Sequence, residues 1–309
     1  MTSPASMPFS DITIAIASIG RPSLLAALDS LDRIHCPDDT RVTVLVADDS
    51  RDGAARRLVE SRRDPRWPVR CLPVASGNIA TARNALLDAA TGDWIAWIDD
   101  DEHVEPEWLV RMMACAADFN ADVVIGPVLP TYPDSAPDWM VAARPHYNHW
   151  GHRGKRLFTG RGGNTLMRRR VTETHGLRFD PALGRTGGED TDLFSRAAAQ
   201  GAVIVATDDA IVHEPVPPER LAPSYILRRA VRAGQSFGLT RLGEQPGLAA
   251  RLAYGSGVTA KCLTAGVLAI LLWPVNRGRS FRMRQKLALN FGKIRAVFGL
   301  PLAELYVSS

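Results

Sequence analysis

Three consecutive aspartates, Asp99, Asp100 and Asp101, directly follow the apolar run 94–98. Each like-charged neighbour makes the next carboxyl group harder to ionise, so a positive partner is expected beside them. Carboxylate oxygens suit a hard divalent cation, Mg²⁺ or Mn²⁺, which often keeps part of its coordination shell for phosphate oxygens. Asp99 and Asp101 reach the same side of an extended turn, so one can contact a sugar hydroxyl while the other holds the metal. The alternative is a solvated, acid-rich helix N-terminus before the helical segment 108–118.

A second pair of carboxylates, Glu189 and Asp190, follows two glycines in the segment GGEDTDLF. Asp190 fits a general base that takes a proton from a hydroxyl group, because the glycines let a substrate approach the backbone. The alternative is a structural role, in which Asp190 caps the helix predicted over 187–201. This segment alone leaves both roles open.

Two further residues carry two interpretations each. One interpretation of His213 is a metal ligand or a hydrogen-bond donor to a diphosphate. The other is a structural histidine beside a strand. Arg83 either reaches phosphate or base groups or is an ordinary exposed arginine on a helix. Neither residue decides the chemistry by itself.

The elements that position these residues alternate short apolar strands with helical patterns. We predict strands over 11–20, 41–50, 67–74, 94–99 and 121–130. We predict helices over 21–34, 53–64, 77–93, 108–118 and 187–201. The pattern of 157–171 predicts a strand, a glycine turn and a strand, and that of 202–221 predicts two strands around a turn. This alternation indicates an α/β fold with a mostly parallel sheet flanked by helices. Ligands bind beyond the carboxyl ends of such strands, where Ser18, the pair Asp48 and Asp49, and the three aspartates stand.

The composition is that of a protein with a substantial buried core, since 46% of its 309 residues are hydrophobic. The N-terminus shows no secretory leader. The four cysteines include no Cys-x-x-Cys pair, so we expect reduced thiols in a cytosolic protein and no disulfide frame or zinc site.

The C-terminal region carries the basic charge. Between Glu244 and Glu304 there are nine basic and no acidic residues, so the rest of the chain has a net charge of −5 against +4 overall. The uncharged run Cys262–Asn276 is fifteen residues long, short of the roughly twenty that a spanning helix needs. We predict a helix pair that lies in the inner leaflet on anionic lipid; the alternatives are a single span and core packing. Nucleic acid is not expected, because aromatic residues do not alternate with the charges.

Several segments together resemble the family 2 glycosyltransferases of the GT-A fold, especially bacterial exopolysaccharide enzymes of the succinoglycan glucosyltransferase type. The matching segments are ITIAIASIGRPSLLAALDSL, VLVADDSRDG, GNIATARNALLDAATGDWIAWIDDDEHVEPEWL, FTGRGGNTLMRR and GGEDTDLFSRAAAQG, which together span about residues 11–215. The resemblance implies a GT-A-type Rossmann-like sheet. Ser18 stands where the family more usually has threonine.

The resemblance implies a role for each acidic position on the donor side. Asp49, with Asp48, contacts the nucleotide base, and Arg83 lies near the base or phosphates. Asp99 faces the ribose, Asp100 belongs with the donor-binding residues, and Asp101 binds the metal that bridges the diphosphate.

On the acceptor side, the resemblance implies that Asp190 is the catalytic base, that Glu189 binds the acceptor and that His213 completes the metal or diphosphate site. The implied reaction is an inverting, Mg²⁺- or Mn²⁺-dependent transfer from a nucleotide sugar, with UDP favoured, to a glycan or polyprenyl-diphosphate-linked acceptor. The implied place is the cytoplasmic face of the inner membrane, with peripheral or monotopic attachment.

The predicted domains are a catalytic domain over 1–222, with a nucleotide-binding half at about 10–105 and an acceptor half at about 106–222, and a helical membrane-associating extension over 223–309. Two rival classes stay open. A metal-dependent nucleotidyltransferase also places carboxylates at a sheet edge, but the first turn here is a poor phosphate loop. A non-catalytic membrane adaptor has no need of Asp190. A Rossmann dehydrogenase is disfavoured because no Gly-x-Gly-x-x-Gly follows the first strand.

Overall fold

The computed structural model describes residues 11–174, 176–243 and 247–302. The strands are β1 (Asp11–Ser18), β2 (Arg41–Asp48), β3 (Val69–Pro73), β4 (Trp94–Trp97), β5 (His103–Val104), β6 (Val123–Ile125), β7 (Val128–Thr131), β8 (Arg156–Leu157), β9 (Thr165–Arg168), β10 (Ile204–Ala206) and β11 (Val212–Pro215). The helices are α1 (Ser23–Leu31), α2 (Ala54–Ser61), α3 (Ile79–Ala89), α4 (Trp108–Asp118), α5 (Asp138–Ala143), α6 (Arg170–Glu173), α7 (Glu189–Ala199), α8 (Pro223–Leu242), α9 (Leu248–Leu272) and α10 (Arg277–Val297), with a 3₁₀ turn at Pro218–Leu221.

The main sheet has the strand order β3-β2-β1-β4-β9-β6-β10-β8. Strand β1 runs parallel to β2 and to β4, and β2 runs parallel to β3. The register pairs Ser18 with Asp48, so the carboxyl ends of β1 and β2 lie side by side. Strand β9 is antiparallel to both β4 and β6. The predicted α/β fold with a mostly parallel sheet flanked by helices is confirmed.

Both faces of this sheet are buried, which explains the nearly continuous apolar runs of its central strands. On one face, Ile12, Ile14 and Ile16 belong to a core cluster that includes residues of α1 and α4. On the other face, Ala15 and Leu45 belong to a cluster that includes residues of α3 and α7. The alternation of side chains along each strand therefore holds the helices on both sides and fixes where the strands end.

One predicted strand was wrong in detail. The run 121–130 is broken at Gly126–Pro127 into β6 and β7, which lie in different sheets. A side chain at Gly126 would meet the Asn164 amide and a backbone carbonyl, and Pro127 has no N–H for a ladder. The predicted strand, glycine turn and strand of 157–171 are present as β8, the loop with Gly162 and Gly163, and β9, although β8 and β9 are not neighbours in the sheet.

The chain divides into two compact units. The first comprises the described residues up to Leu129 together with Asn148–Glu214, and the second comprises Pro130–Tyr147 together with the described residues from Pro215 onward. The assignment of 1–222 and 223–309 to catalytic and membrane-associating functions stays a prediction.

Helices α8, α9 and α10 make up most of the second unit and pack with short backbone distances. An added side chain at Gly234 would lie 1.8 Å from the carbonyl oxygen of Leu289, and one at Gly292 would lie 2.0 Å from that of Val231. Among the described residues, one helix, α9, is long and apolar enough to cross a membrane by length and composition, and only 22% of its most apolar window is buried. Most of this window is therefore exposed on the second unit, and the attachment of α9 to a membrane stays a prediction.

Candidate active site

Three arginines lie among the aspartates that follow β4. Arg83 of α3 places Nη2 3.3 Å from Oδ1 of Asp99, and Arg161 places Nη2 3.2 Å from Oδ2 of the same residue. Arg21, just beyond β1, places Nη1 3.2 Å from Asp100 and 3.4 Å from Asp101. The positive partners that three adjacent carboxylates need are therefore supplied by the protein itself, from separate segments of the chain.

Ser18 and Asp100 stabilise each other, and their contacts with the donor stay a prediction. The Ser18 hydroxyl donates to Oδ2 of Asp100 at 2.6 Å and accepts from the backbone N–H of Gly20. Both side chains are buried. Burial raises the pKa of Asp100, although the hydrogen bond from Ser18 opposes the shift. The pair anchors the end of β4 to the end of β1.

Glu102 is a fourth acidic residue of this cluster, and its sequence position alone does not distinguish it from the other acids before α4. Its side chain is fully buried. One carboxylate oxygen accepts from the backbone N–H groups of Asp99 and Asn164, and the other lies 2.9 Å from Nη2 of Arg161. Burial raises the pKa of Glu102 to about 8 against the opposing effect of Arg161. Glu102 therefore holds the aspartate turn and the loop before β9 together.

The pKa values of Asp99 and Asp101 shift in opposite directions. Burial disfavours the charged form of Asp99, but Arg83 and Arg161 outweigh it and lower its pKa. Burial raises the pKa of Asp101 to about 6, and the charges of Asp99 and Glu214 add to the shift. Asp101 thus lies beside other carboxylates, with Arg21 as the guanidinium group that pairs with it.

The residues present fit a hard divalent cation. In the described cluster, seven carboxyl groups face three guanidinium groups, so acidic groups are in excess: Asp99, Asp100, Asp101, Glu102, Glu189, Asp190 and Glu214. Among the described residues, no group of three His, Cys, Asp or Glu side chains is arranged to hold a metal ion by itself. A cation at Asp101 would relieve the local repulsion and take further oxygen ligands from a phosphate.

Two glycines let the arginines and carboxylates approach. A side chain at Gly162 would lie 2.3 Å from the guanidinium carbon of Arg83. One at Gly163 would lie 2.7 Å from the carboxylate oxygens of Asp99 and Glu102. These contacts explain why the loop reads Arg-Gly-Gly, since any larger residue would push the charged groups apart.

Asp190 lies in the first turn of α7, next to this loop. The N-cap of the helix is Gly188 and makes no side-chain capping bond, so the interpretation of Asp190 as the cap was wrong. Oδ2 of Asp190 accepts from the backbone N–H of Gly162 at 3.0 Å, and Oδ1 accepts from that of Thr191 at 2.6 Å. Its negative charge acts on Arg83 and Arg161. The structure therefore brings Asp190 to the aspartate cluster, as the sequence predicted.

Glu189 and Arg83 form a buried ion pair. Nη1 of Arg83 lies 2.5 Å from Oε1 of Glu189, and each side chain is less than one-tenth exposed. The alternative of an ordinary exposed helical arginine is therefore wrong, because Arg83 joins α7 to the end of β4. The predicted roles of Arg83 near the donor and of Glu189 near the acceptor stay predictions.

Asp48 and Asp49 shape the loops after β2. Burial disfavours the charged form of Asp48, but the Ser50 hydroxyl and the backbone N–H groups of Arg56 and Ser50 donate to it and lower its pKa. Asp49 accepts from the backbone N–H groups of Gly77 at 3.0 Å and Asn78 at 2.9 Å. Asp48 therefore holds the start of α2, and a contact of either aspartate with the nucleotide base stays a prediction.

His213 is not brought to the aspartates. Strand β11 pairs with β5 in a register that places His213 opposite His103, and Nε2 of His213 lies 3.2 Å from Glu105. The next residue, Glu214, points to the other face of the strand, where its charge raises the pKa values of Asp101 and Glu102. The strand presents Glu214 toward the aspartates, and the role of His213 as a metal ligand stays a prediction.

Known proteins share this fold. The mannosyltransferase PcManGT from Pyrobaculum calidifontis, solved with GDP-Man and Mn²⁺, gives a TM-score of 0.61 at 18% identity and covers 93% of this chain and 87% of that chain. The structure of S. aureus TarS 1–349 in complex with UDP gives a TM-score of 0.52 at 15% identity and covers 94% of this chain and 91% of that chain. The sheet with an acidic cluster at its carboxyl edge is that of a GT-A glycosyltransferase.

The sequence narrows the class to a family. Residues 13–176 match the family described as Glycosyl transferase family 2. The succinoglycan biosynthesis protein ExoM of Rhizobium meliloti (strain 1021) is 36% identical over 299 residues, which cover 96% of this chain and 95% of that protein. The chain belongs to glycosyl transferase family 2 and is a glycosyltransferase. This membership decides against the nucleotidyltransferase and the non-catalytic adaptor.

Proposed function

We propose that this enzyme transfers a sugar, with inversion, from a nucleotide sugar to a hydroxyl group of a glycan or polyprenyl-diphosphate-linked glycan, with Asp190 as the base. One observation carries the proposal: Asp190 and Asp99 accept hydrogen bonds from adjacent residues of the same loop, Gly162 and Arg161. A proton acceptor and a metal- and donor-binding cluster are thereby held at one edge of the sheet.

The donor side of the site is built for phosphate oxygens. Nη1 of Arg161 is buried and makes no hydrogen bond within the described residues, so an anionic oxygen from a ligand would satisfy it. Asp101 would hold Mg²⁺ or Mn²⁺, with Asp99 facing the donor ribose. When bound, the cation supplies positive charge that stabilises the departing nucleoside diphosphate.

The acceptor side requires a carboxylate that is fixed in position and still able to take a proton. Asp190 accepts two backbone N–H bonds, which leaves about two of its four lone-pair positions for an acceptor hydroxyl. The acceptor oxygen gives its proton to Asp190 and attacks the anomeric carbon, and the bond to the diphosphate breaks on the opposite side. The ion pair of Arg83 with Glu189 fixes the first turn of α7 behind this carboxylate.

The setting that we propose is exopolysaccharide or cell-surface polysaccharide assembly at the cytoplasmic face of the inner membrane. It is supported by the relative named for succinoglycan biosynthesis, which is similar along almost the whole chain. The largely exposed apolar helix α9 supports attachment to a membrane. A lipid-linked acceptor would be reached from that position.

Calorimetric titration of UDP, GDP and dTDP into the full chain, with and without Mn²⁺, tests the donor side. We expect one nucleotide, UDP, to bind in the presence of Mn²⁺ and at least tenfold more weakly without it. Binding of UDP that is unaffected by Mn²⁺ removal would contradict the metal assignment. Binding of none of the three would contradict the donor site itself.

A further inference from the structure

Asn164 directly follows the segment 161–163, whose residues contact the acidic cluster. It is fully buried. Its backbone φ angle is +43°, in the left-handed region that residues other than glycine adopt uncommonly and that asparagine tolerates better than most. A buried residue keeps this conformation only when its surroundings hold it there. The contacts of Asn164 therefore indicate what the conformation is for.

The side-chain amide of Asn164 joins three segments of the first unit. Oδ1 accepts from Nε1 of Trp108 at 2.7 Å, at the start of α4. Nδ2 donates to the carbonyl oxygen of Pro127 at 2.7 Å, between β6 and β7, and to that of Ala210 at 2.9 Å, before β11. This set of bonds needs two donors and one acceptor in the same side chain, which an amide provides and a carboxylate does not.

The backbone of Asn164 extends the network to the turn that carries the aspartates. Its N–H group donates to Oε2 of Glu102 at 3.2 Å, and its carbonyl oxygen accepts from the N–H group of Gly126 at 2.9 Å. Glu102 in turn lies 2.9 Å from Nη2 of Arg161. Asn164 and Arg161 are thus tied to the same buried carboxylate, one at each end of the loop.

The loop between these two anchors has little to hold it by itself. Gly162 and Gly163 have no side chains and the greatest backbone freedom of any residue type. Oγ1 of Thr165 donates to the carbonyl oxygens of Arg161 at 2.9 Å and of Gly163 at 3.2 Å, which closes the loop on its far side. The position of the loop therefore depends on Asn164 and Thr165, where the chain enters β9.

We infer that Asn164 is a positioning residue for donor binding, because it fixes the loop that carries the Arg161 guanidinium group. This role rests on the proposed function, in which Nη1 of Arg161, buried and without a hydrogen bond within the described residues, donates to a phosphate oxygen of the donor. The amide of Asn164 is fully buried and bound to protein groups, so it acts on the nucleotide only through Arg161.

The test is a double-variant cycle that measures UDP binding to the full chain at saturating Mn²⁺ by calorimetry. Asn164→Gly removes the amide and keeps the left-handed backbone accessible. It should bind UDP roughly tenfold more weakly, as loss of groups behind binding residues commonly does. Arg161→Gln should weaken binding by at least as much. In the Arg161→Gln background, Asn164→Gly should cost no more than about twofold further, because no guanidinium group remains to be positioned.

Thr13→Val is the matched control for general loss of stability. Thr13 is buried, and its Oγ1 accepts from the N–H group of Gly92 at 3.3 Å, near the end of β1 that is opposite to Ser18. This variant loses a buried hydrogen bond away from the loop and should bind UDP as the parent does. A milder variant, Trp108→Phe, removes only the N–H group that holds Oδ1 of Asn164 and should weaken binding by about threefold.

Binding of UDP by Asn164→Gly within about twofold of the parent, or full additivity with Arg161→Gln, would overturn the inference. So would an equal loss of affinity in Thr13→Val. If Asn164→Gly does not fold, unchanged binding by Trp108→Phe would overturn it instead. A parent chain that binds no UDP, or an Arg161→Gln variant that binds UDP as the parent does, contradicts the donor site of the proposed function and is distinguished from these outcomes.

Discussion

Three arginines explain how five carboxylates share one small volume. Arg83 and Arg161 both pair with Asp99, and they pair in addition with Glu189 and Glu102, respectively. Arg21 bridges Asp100 and Asp101. A buried charge is costly unless it is paired, so each bridge should matter most to the partner that it would leave behind. The pair of Arg83 with Glu189 is buried on both sides, and its effect on stability is separable from catalysis.

Arg83→Gln should destabilise the protein by about 3–5 kcal/mol, because it leaves the Glu189 carboxylate buried without its partner. The double variant Arg83→Gln, Glu189→Gln should recover a large part of that loss, since no unpaired charge remains. Urea denaturation of the parent, both single variants and the double variant measures the coupling. Strictly additive single effects would mean that the ion pair does not hold α7 to the aspartate turn.

At the scale of elements, the alternation of side chains between the two faces of a strand determines which side chain reaches the site. Strand β11 turns His213 toward Glu105 and Glu214 toward the environment of Asp101. A shift of one residue would exchange the two. The register with β5, set by the pairing of His213 with His103, therefore determines the acidic character of this edge.

Glu214→Gln should weaken Mn²⁺-dependent UDP binding by about tenfold or more, as loss of groups around metal ligands commonly does. His213→Gln, its neighbour on the opposite face, should change that binding by no more than about twofold. Titration of UDP at saturating Mn²⁺ into both variants compares them. The reverse order of effects would favour the histidine as the metal ligand.

The parallel strands and their acidic ends could be predicted from the sequence, because runs such as ITIAIA are apolar on both faces and end in polar residues. The partners of those acids could not. Arg21 and Arg161 are distant in sequence from Asp99–Asp101, and arginines are numerous in this chain. Their positions depend on which strands neighbour each other, and β9 lies between β4 and β6 against the order of the chain.

At the scale of the whole molecule, the second unit is assembled from two separate stretches of chain. One of these stretches, residues 130–147, is inserted between two parts of the first unit. The backbones of Val128 and Asn148, which flank the insertion, are hydrogen-bonded to each other. Within the second unit, Met140 of α5 is fully buried with Ile226 and Phe281. A boundary at 222, which the sequence predicted, therefore separates α5 from the helices that cover it.

A chain that ends at residue 222 should aggregate, because Met140 and Trp139 lose their apolar cover. The same chain with residues 131–146 replaced by a short Gly-Ser linker should be monomeric, since Val128 and Asn148 already meet. Gel filtration of the two truncated chains beside the full chain distinguishes them. A soluble, monomeric 1–222 chain would show that α5 does not depend on the C-terminal helices.

The proposed reaction depends most directly on Asp190 as the base, and a comparison of two variants tests this role. Asp190→Asn should bind UDP with Mn²⁺ as the parent does and lose at least about a thousandfold in sugar transfer, within the range that acid–base groups contribute. Asp192→Asn alters a carboxylate on the same helix that pairs with Arg196, and it should keep transfer near the parent rate. Transfer by Asp190→Asn at a rate close to that of Asp192→Asn would contradict the assignment of the base.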